Sequence, residues 1–141
     1  MEDRPLHVFN VIQTLAVGVL FWFLITWTGP WNAQRYLGTA LCIAGAIGIA
    51  VARYQLGKSF SIRARAKQLV THGIYSKIRN PIYLFGVVMV LGVTLVLQKP
   101  VLWVLLGVII VGQTIRAHRE ARVLEAAFGD EYREYRGKTW F

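Results

Sequence analysis

Long apolar segments alternate with short polar ones along the chain. Four of these segments are long enough, or nearly so, to form transmembrane helices, which need roughly 20 mostly apolar residues. The last two are short and only a few polar residues separate them, which predicts a tight helical hairpin. The predicted spans cover about residues 8–28, 36–54, 81–98 and 100–117.

These four spans occupy most of the 141 residues. We therefore expect one membrane domain over residues 1–141, with a loop at 55–80 and a tail at 118–141. The expected fold class is an all-α integral membrane protein with a C-terminal helical extension. The first span exceeds the roughly 7–15 apolar residues of a signal peptide and follows two acidic residues, so we interpret it as a retained anchor.

Charge is unevenly distributed, with 16 Lys and Arg against 7 Asp and Glu. From Arg53 to Arg79 there are seven cations and no acid, and the tail from Arg116 holds six more, whereas the opposite connections carry only Arg35 and Lys99. The positive-inside rule therefore places the loop, the tail and the N-terminus in the cytoplasm. This distribution favours membrane lipids over nucleic acid as partners, and the compact length suggests a prokaryotic inner membrane.

Ionisable residues are absent from the centres of the predicted spans. Because such residues normally mark proton or ion routes, their absence argues against a small four-helix transporter. The three histidines are far apart and no Cys/His spacing suits a metal, so no metal site is expected. A structural membrane subunit remains open as a further class. Any chemistry is expected where the loop and the tail meet the membrane surface.

The loop ends in a polar motif just before the third span. Asn80 followed by Pro81 predicts a helix N-cap with proline at the first helical position. A helix N-terminus beside Arg79 is suited to an anion such as a carboxylate or phosphate. The alternative is that Arg79 reaches the lipid headgroups and Asn80-Pro81 only begins a helix.

The tail has helical spacing and is predicted to continue the fourth span to residue 128. Arg116, Arg119, Glu120 and Leu124 are three or four residues apart and share one face, with Arg116 and Glu120 as a candidate ion pair. Gly129 is the predicted end of this helix.

One ordered set of residues runs through both motifs: Gly73-Ile74-Tyr75, Arg79-Asn80-Pro81-Ile82-Tyr83, Arg119-Glu120, Leu124, Phe128-Gly129, Tyr132 and Tyr135. The set resembles the integral-membrane methyltransferases, which include isoprenylcysteine carboxyl methyltransferases and phospholipid N-methyltransferases. The resemblance extends from about Leu56 to the end of the sequence. It implies S-adenosylmethionine (SAM) as methyl donor, bound on the cytoplasmic side, and a lipid-like or isoprenylated acceptor that enters from the bilayer.

The chain departs from this family's usual pattern at two positions. Asn80 stands where the family usually has His, so no imidazole is available there. Ala121 stands where the family usually has a second Glu. The chain therefore lacks the second carboxylate that would take part in handling the acceptor. The alternatives are therefore a membrane protein that keeps the fold without methyltransferase activity, or the small transporter.

The resemblance also implies roles for individual residues. Arg79 and the helix start would bind the SAM carboxylate, and Glu120 its ammonium or ribose hydroxyls. Tyr75 and Tyr83 would face the sulfonium. An amine acceptor needs a base, for which His72 and Glu120 are the candidates, whereas a carboxylate acceptor needs none. The predicted catalytic residues are Arg79, Glu120 and His72, and the predicted SAM-binding residues are Tyr75, Arg79, Asn80, Pro81, Tyr83, Arg119, Glu120, Leu124, Phe128, Tyr132 and Tyr135.

Overall fold

A computed structural model describes residues 18–19, 21–22, 24–57 and 69–141. Positions 8–17 of the predicted first span and positions 58–68 of the basic loop lie outside the described residues. The described part of the first span is helical at 18–19, 21–22 and 24–26. The helices that follow are α1 (Ala33–Leu56), α2 (Pro81–Leu97), α3 (Pro100–Phe128) and α4 (Asp130–Lys138).

The predicted all-α architecture is confirmed for the described residues. The second predicted span lies inside α1, the third corresponds to α2, and the fourth continues without a break to Phe128. Asn80 and Pro81 begin α2, although the Asn80 side chain makes no capping hydrogen bond. Gly129 ends α3 with a φ of 52°, a left-handed value that glycine adopts without steric cost.

Two of the described helices, α1 and α3, are long and apolar enough to cross a membrane. The helix α2 is also apolar but has only 17 residues. Length and composition thus support a membrane protein with at least these two candidate spans, and the arrangement of four spans stays a prediction.

Glycines bring α1 and α2 into close contact. Gly38, Gly45 and Gly48 are buried on one face of α1, and Gly92 is buried on α2. A Cβ on Gly38 would lie 2.7 Å from the Gly92 carbonyl oxygen, and a Cβ on Gly92 would lie 2.7 Å from the Cys42 sulfur. Small residues allow this approach, which is the usual way apolar helices associate where lipid removes the hydrophobic driving force.

Replacing Gly92 with leucine is expected to destabilise the pairing of α1 and α2. The new side chain would overlap the Gly38 carbonyl oxygen, 2.6 Å from the Cβ position, and overpacking of this kind costs about 1–3 kcal/mol. The thermal midpoint of the detergent-solubilised protein measures the effect. The control is Gly107→Leu in α3, where a Cβ meets nothing within 4 Å. Equal midpoints for the two variants would contradict the packing argument.

The N-terminal end of α1 is held by Arg35, which is only 1% exposed. Its guanidinium donates hydrogen bonds to the backbone oxygens of Leu24, Trp27 and Gly29, and its Cζ lies 4.2 Å from the centroid of the Trp31 ring. Carbonyls at a helix C-terminus lack intrahelical partners, so Arg35 satisfies the end of the preceding helix and joins it to α1. From the sequence alone, Arg35 was predicted only to be a cation in the connection between the first two spans.

Candidate functional site

The segment before α2 begins with a short 3₁₀ turn over Gly73–Ser76. Gly73 has a φ of 60°, and the next N–H, of Ile74, donates to the side-chain oxygen of Gln55 at 2.7 Å. The turn is therefore attached to the end of α1. Tyr75, the buried residue of this turn, points into the structure with 6% of its surface exposed.

The last residues of the chain lie beside the start of α2. The Trp140 N–H donates to the Lys77 carbonyl at 3.1 Å, and the Asn80 N–H donates to the Phe141 backbone oxygen at 2.9 Å. The Arg79 N–H also donates to the Trp140 carbonyl, at 3.4 Å. These bonds occupy the backbone N–H groups of Arg79 and Asn80, so it is the side chains of these two residues that remain for an anion at this point.

A side-chain hydrogen bond connects the first turn of α2 to α3. The Tyr83 hydroxyl donates to a carboxylate oxygen of Glu120, and the Arg116 Cζ lies 5.7 Å from the centroid of the Tyr83 ring. The predicted ion pair between Arg116 and Glu120 is not formed among the described residues. Glu120 faces α2 because Tyr83 offers it a hydrogen bond, and Arg116 lies over the ring of the same tyrosine.

The helix α4 folds back after Gly129 and brings two buried tyrosines to this place. Tyr132 is fully buried and Tyr135 is 8% exposed. The Tyr135 hydroxyl donates to the Tyr75 carbonyl at 2.7 Å, which fixes α4 against the turn. Outside this contact, Glu125 accepts a hydrogen bond from Arg133 at 2.9 Å and holds the corner between α3 and α4.

Burial and several charges, Arg79 and Glu120 among them, shift the pKa of Tyr132. Burial raises the pKa of Tyr132, the positive charge of Arg79 lowers it, and the negative charge of Glu120 raises it. Burial also raises the pKa of Tyr75, with a smaller contribution from Glu120. We call this group the juxtamembrane cluster, and its members are Tyr75, Arg79, Tyr83, Glu120, Tyr132 and Tyr135.

Two polar atoms in the cluster are buried without a hydrogen-bond partner among the described residues. They are the Nε of Arg79 and the hydroxyl oxygen of Tyr132. Buried polar groups in proteins are nearly always satisfied, so an unsatisfied one is a candidate ligand contact. The Nε of Arg79 and the hydroxyl of Tyr132 are therefore the two candidate ligand contacts of the cluster.

The other predicted site residues lie around the cluster or away from it. Leu124 and Phe128 are half-buried on α3 beyond Glu120, and Pro81 is buried at the start of α2. Arg119 and His72 are exposed, and the His72 ring makes no hydrogen bond within the described part of the chain. The structure therefore does not bring His72 or Arg119 into the cluster, and their roles stay predictions.

Gln55 and Gln113 escaped the sequence-based prediction. Gln55 anchors the turn, and the Oε1 of Gln113 is buried without a partner in the described ranges. In the sequence, Gln113 could have been noticed as an amide inside an apolar segment. Nothing in the sequence pointed to Gln55, because its contact joins residues 19 positions apart.

The attachment of α4 is expected to weaken at alkaline pH. Burial raises the pKa of Tyr135 to about 12, above the ordinary value of about 10. The protonated hydroxyl thus stabilises the fold fully below about pH 10, and this contribution is lost as the pH rises through about 12. We expect the thermal midpoint to fall across this window. In Tyr135→Phe the midpoint should start lower and fall less; an equally steep fall would contradict the assignment.

A comparison with known families covers most of this arrangement. The family described as phospholipid methyltransferase matches residues 33–131, more than two thirds of the chain. The chain belongs to the phospholipid methyltransferase family. No curated protein and no solved structure matches the chain.

The phospholipid methyltransferase match begins at the first residue of α1 and ends one residue before Tyr132. It contains four members of the juxtamembrane cluster, and the other two, Tyr132 and Tyr135, lie one and four positions after its end. The resemblance to membrane methyltransferases inferred from the motifs is therefore confirmed. Its starting point near Leu56 was set too late, because the match already includes α1, whose glycine-rich sequence carries no recognisable polar motif. A methyltransferase family and two candidate membrane helices together indicate a membrane-located methyltransferase.

Proposed function

We propose that this phospholipid methyltransferase family member transfers a methyl group from SAM to a lipid-like acceptor at the cytoplasmic membrane surface. The observation that carries the proposal is the juxtamembrane cluster, where a cation, a carboxylate and four tyrosines meet beside the apolar helices. The family match supports the reaction class.

The cluster has the donors and acceptors that SAM requires. SAM has a carboxylate, an ammonium, a sulfonium and an adenosine, and when bound it supplies an electrophilic methyl group. The unsatisfied Arg79 Nε suits the carboxylate through a charge-assisted hydrogen bond. The unsatisfied Tyr132 hydroxyl suits a polar group of the same molecule. Tyrosine rings attract cations, so Tyr75 and Tyr83 are suited to lie near the sulfonium.

The protein's contribution would be orientation, exclusion of water and, for an amine acceptor, removal of a proton. Tyr132 and Tyr135 close the cluster from the tail side, which keeps water out of the site. Glu120 is the carboxylate of the cluster, and the hydrogen bond from Tyr83 holds it in place. An amine that forms a new bond to carbon must lose a proton, and Glu120 is positioned to accept it. A carboxylate acceptor would need only the orientation.

The proposed topology has four spans, with both termini and the cluster on the cytoplasmic side. The cations of the loop and the tail lie near the cluster in sequence, in agreement with the positive-inside rule. The apolar face of α3 is exposed, with Val104, Val108 and Val111 each about 60% exposed or more. Such a face is suited to lipid, and it gives a hydrophobic acceptor a route to the cluster within the bilayer.

Calorimetric titration of the purified protein with SAM tests the donor half of this proposal. We expect saturable binding, and its absence at millimolar SAM in detergent and in lipid would contradict the proposal. Transfer of a labelled methyl group from SAM into a total lipid extract tests the acceptor half and identifies the product. Binding without any transfer would favour the alternative, a protein that keeps the fold and has lost the activity.

A further inference from the structure

Trp140 and Phe141 run beside the segment that leads into α2, and we call these two residues the strap. Trp140 pairs with Ile78 in a parallel β-bridge. The Arg79 N–H donates to the Trp140 carbonyl. The Asn80 N–H donates to the Phe141 backbone oxygen. The strap therefore holds the backbone of the segment that carries Arg79.

The side chains of the strap are exposed, although its backbone is paired. Trp140 is 63% exposed and Phe141 is 40% exposed. A backbone hydrogen bond replaces bonds to water and so gives a modest net stabilisation. A short segment with few buried apolar contacts opens readily, even where its backbone is bonded. The strap therefore needs a further contact at its two aromatic rings to stay in place.

The level of the strap relative to the membrane follows from its pairing. The helix α2 begins at Pro81 and carries Ile82 and Leu84 in its first turn, so the residues just before it lie at the membrane boundary when α2 spans the bilayer. Paired strands are about 4.8 Å apart, which places the strap at the same boundary. Tryptophan is enriched there because its ring is apolar and its N–H is polar. The exposed cation of Lys77, on the paired segment, suits the lipid phosphates at this level.

We propose that the strap is a lipid anchor, whose two rings enter the head-group region and thereby hold Arg79 in place for SAM. This inference rests on the proposed function and adds a regulation of the same site by the lipid surface. The docked strap engages the Arg79 N–H and leaves the Nε without a partner among the described residues, so the backbone is fixed while the side chain stays available. Trp140 and Phe141 act through Arg79 and are positioning residues.

The first measurement locates the Trp140 ring and needs no SAM. In nanodiscs of phosphatidylcholine brominated close to the head group, bromine quenches the fluorescence of a tryptophan that it contacts. The difference between wild-type protein and Trp140→Tyr isolates the Trp140 signal among the five tryptophans of the chain. We expect bromine to reduce this signal about twofold or more, as for an interfacial ring. A Trp140 signal equal in brominated and ordinary lipid would overturn the proposal.

The second measurement asks whether the anchor serves the SAM site. Trp140→Ala removes the ring and keeps the backbone groups. If the strap is then docked about one-tenth of the time, the Kd for SAM in nanodiscs rises about tenfold. Trp140→Tyr retains an interfacial aromatic ring and should recover most of the affinity. The control is Trp103→Ala, which removes a tryptophan of 50% exposure near the start of α3 and should leave the Kd unchanged.

Steady-state kinetics separate positioning from a general structural defect. Saturating SAM favours the docked strap, so Trp140→Ala should raise the KM for SAM about tenfold and keep the wild-type kcat. An unchanged Kd, or a lower kcat with an unchanged KM, would overturn the proposal. Absence of SAM binding by wild-type protein would count against the proposed function alone, because the bromine measurement still tests the lipid contact of the strap.

Discussion

Glu120→Gln is expected to lower the rate of methyl transfer to an amine acceptor at least a hundredfold. General base catalysis by a positioned side chain contributes typically 10²- to 10⁴-fold, and Glu120 is the carboxylate of the juxtamembrane cluster. Glutamine has the same shape and its amide oxygen still accepts the hydrogen bond from Tyr83. The loss therefore concerns proton removal and not the contact between α2 and α3. Single-turnover transfer from labelled SAM to phosphatidylethanolamine measures it.

Glu125→Gln is the matched control for this experiment. Glu125 lies on the same helix and pairs with Arg133 at 2.9 Å, where both side chains are at least one-third exposed. Exposed pairs contribute about 0–1 kcal/mol, so the rate should stay within a few-fold of wild type. Equal rates for Glu120→Gln and wild-type protein would exclude Glu120 as the base.

Arg79→Ala is expected to weaken SAM binding about thirtyfold or more. Removing one partner of a buried, hydrogen-bonded charge pair costs about 2 kcal/mol or more, and the Nε of Arg79 is buried and unsatisfied among the described residues. Because that atom has no protein partner there, its loss should leave the thermal midpoint of the ligand-free protein nearly unchanged. Calorimetric titration with SAM gives the affinity, and a thermal scan without ligand gives the stability.

Two further variants make the Arg79 result specific. Arg79→Lys retains the charge without the planar guanidinium and should recover only part of the affinity. Arg122→Ala removes an exposed cation of the tail and should leave the affinity unchanged. If Arg79→Ala lowered the thermal midpoint as strongly as it lowered the affinity, the residue would have a structural role and the binding assignment would be wrong.

The departure at Asn80 has a simple structural description. Asn80 occupies the N-cap position of α2, but its side chain makes no capping bond, and its backbone N–H is engaged by Phe141. The proline at position 81 begins the helix without help from that side chain, because its fixed φ suits the first helical position. Asn80 is therefore not required for the helix start, and its side chain remains available to the adjoining cluster.

The sequence alone determined the features that depend on neighbouring residues. Pro81 and Gly129 were predicted correctly as the start of α2 and the end of α3, because proline lacks an N–H and glycine adopts positive φ at no cost. The hairpin followed from two short apolar segments with only a few polar residues between them, and the helical tail followed from residues spaced three and four apart. Family membership was also predictable, because the motifs that indicate it can be read directly from the order of residues in the sequence.

Only the tertiary structure decided which side chains meet. Glu120 bonds Tyr83, 37 positions away, and not its helical neighbour Arg116; Tyr135 reaches the turn 60 positions earlier. Such contacts depend on the register of α2 against α3 and on how α4 folds back, and local preferences do not specify either. The same holds for Arg35, whose burial follows from the carbonyls that the preceding helix leaves without partners. Chain-local rules act over a few residues, whereas a site is assembled by packing across the whole fold.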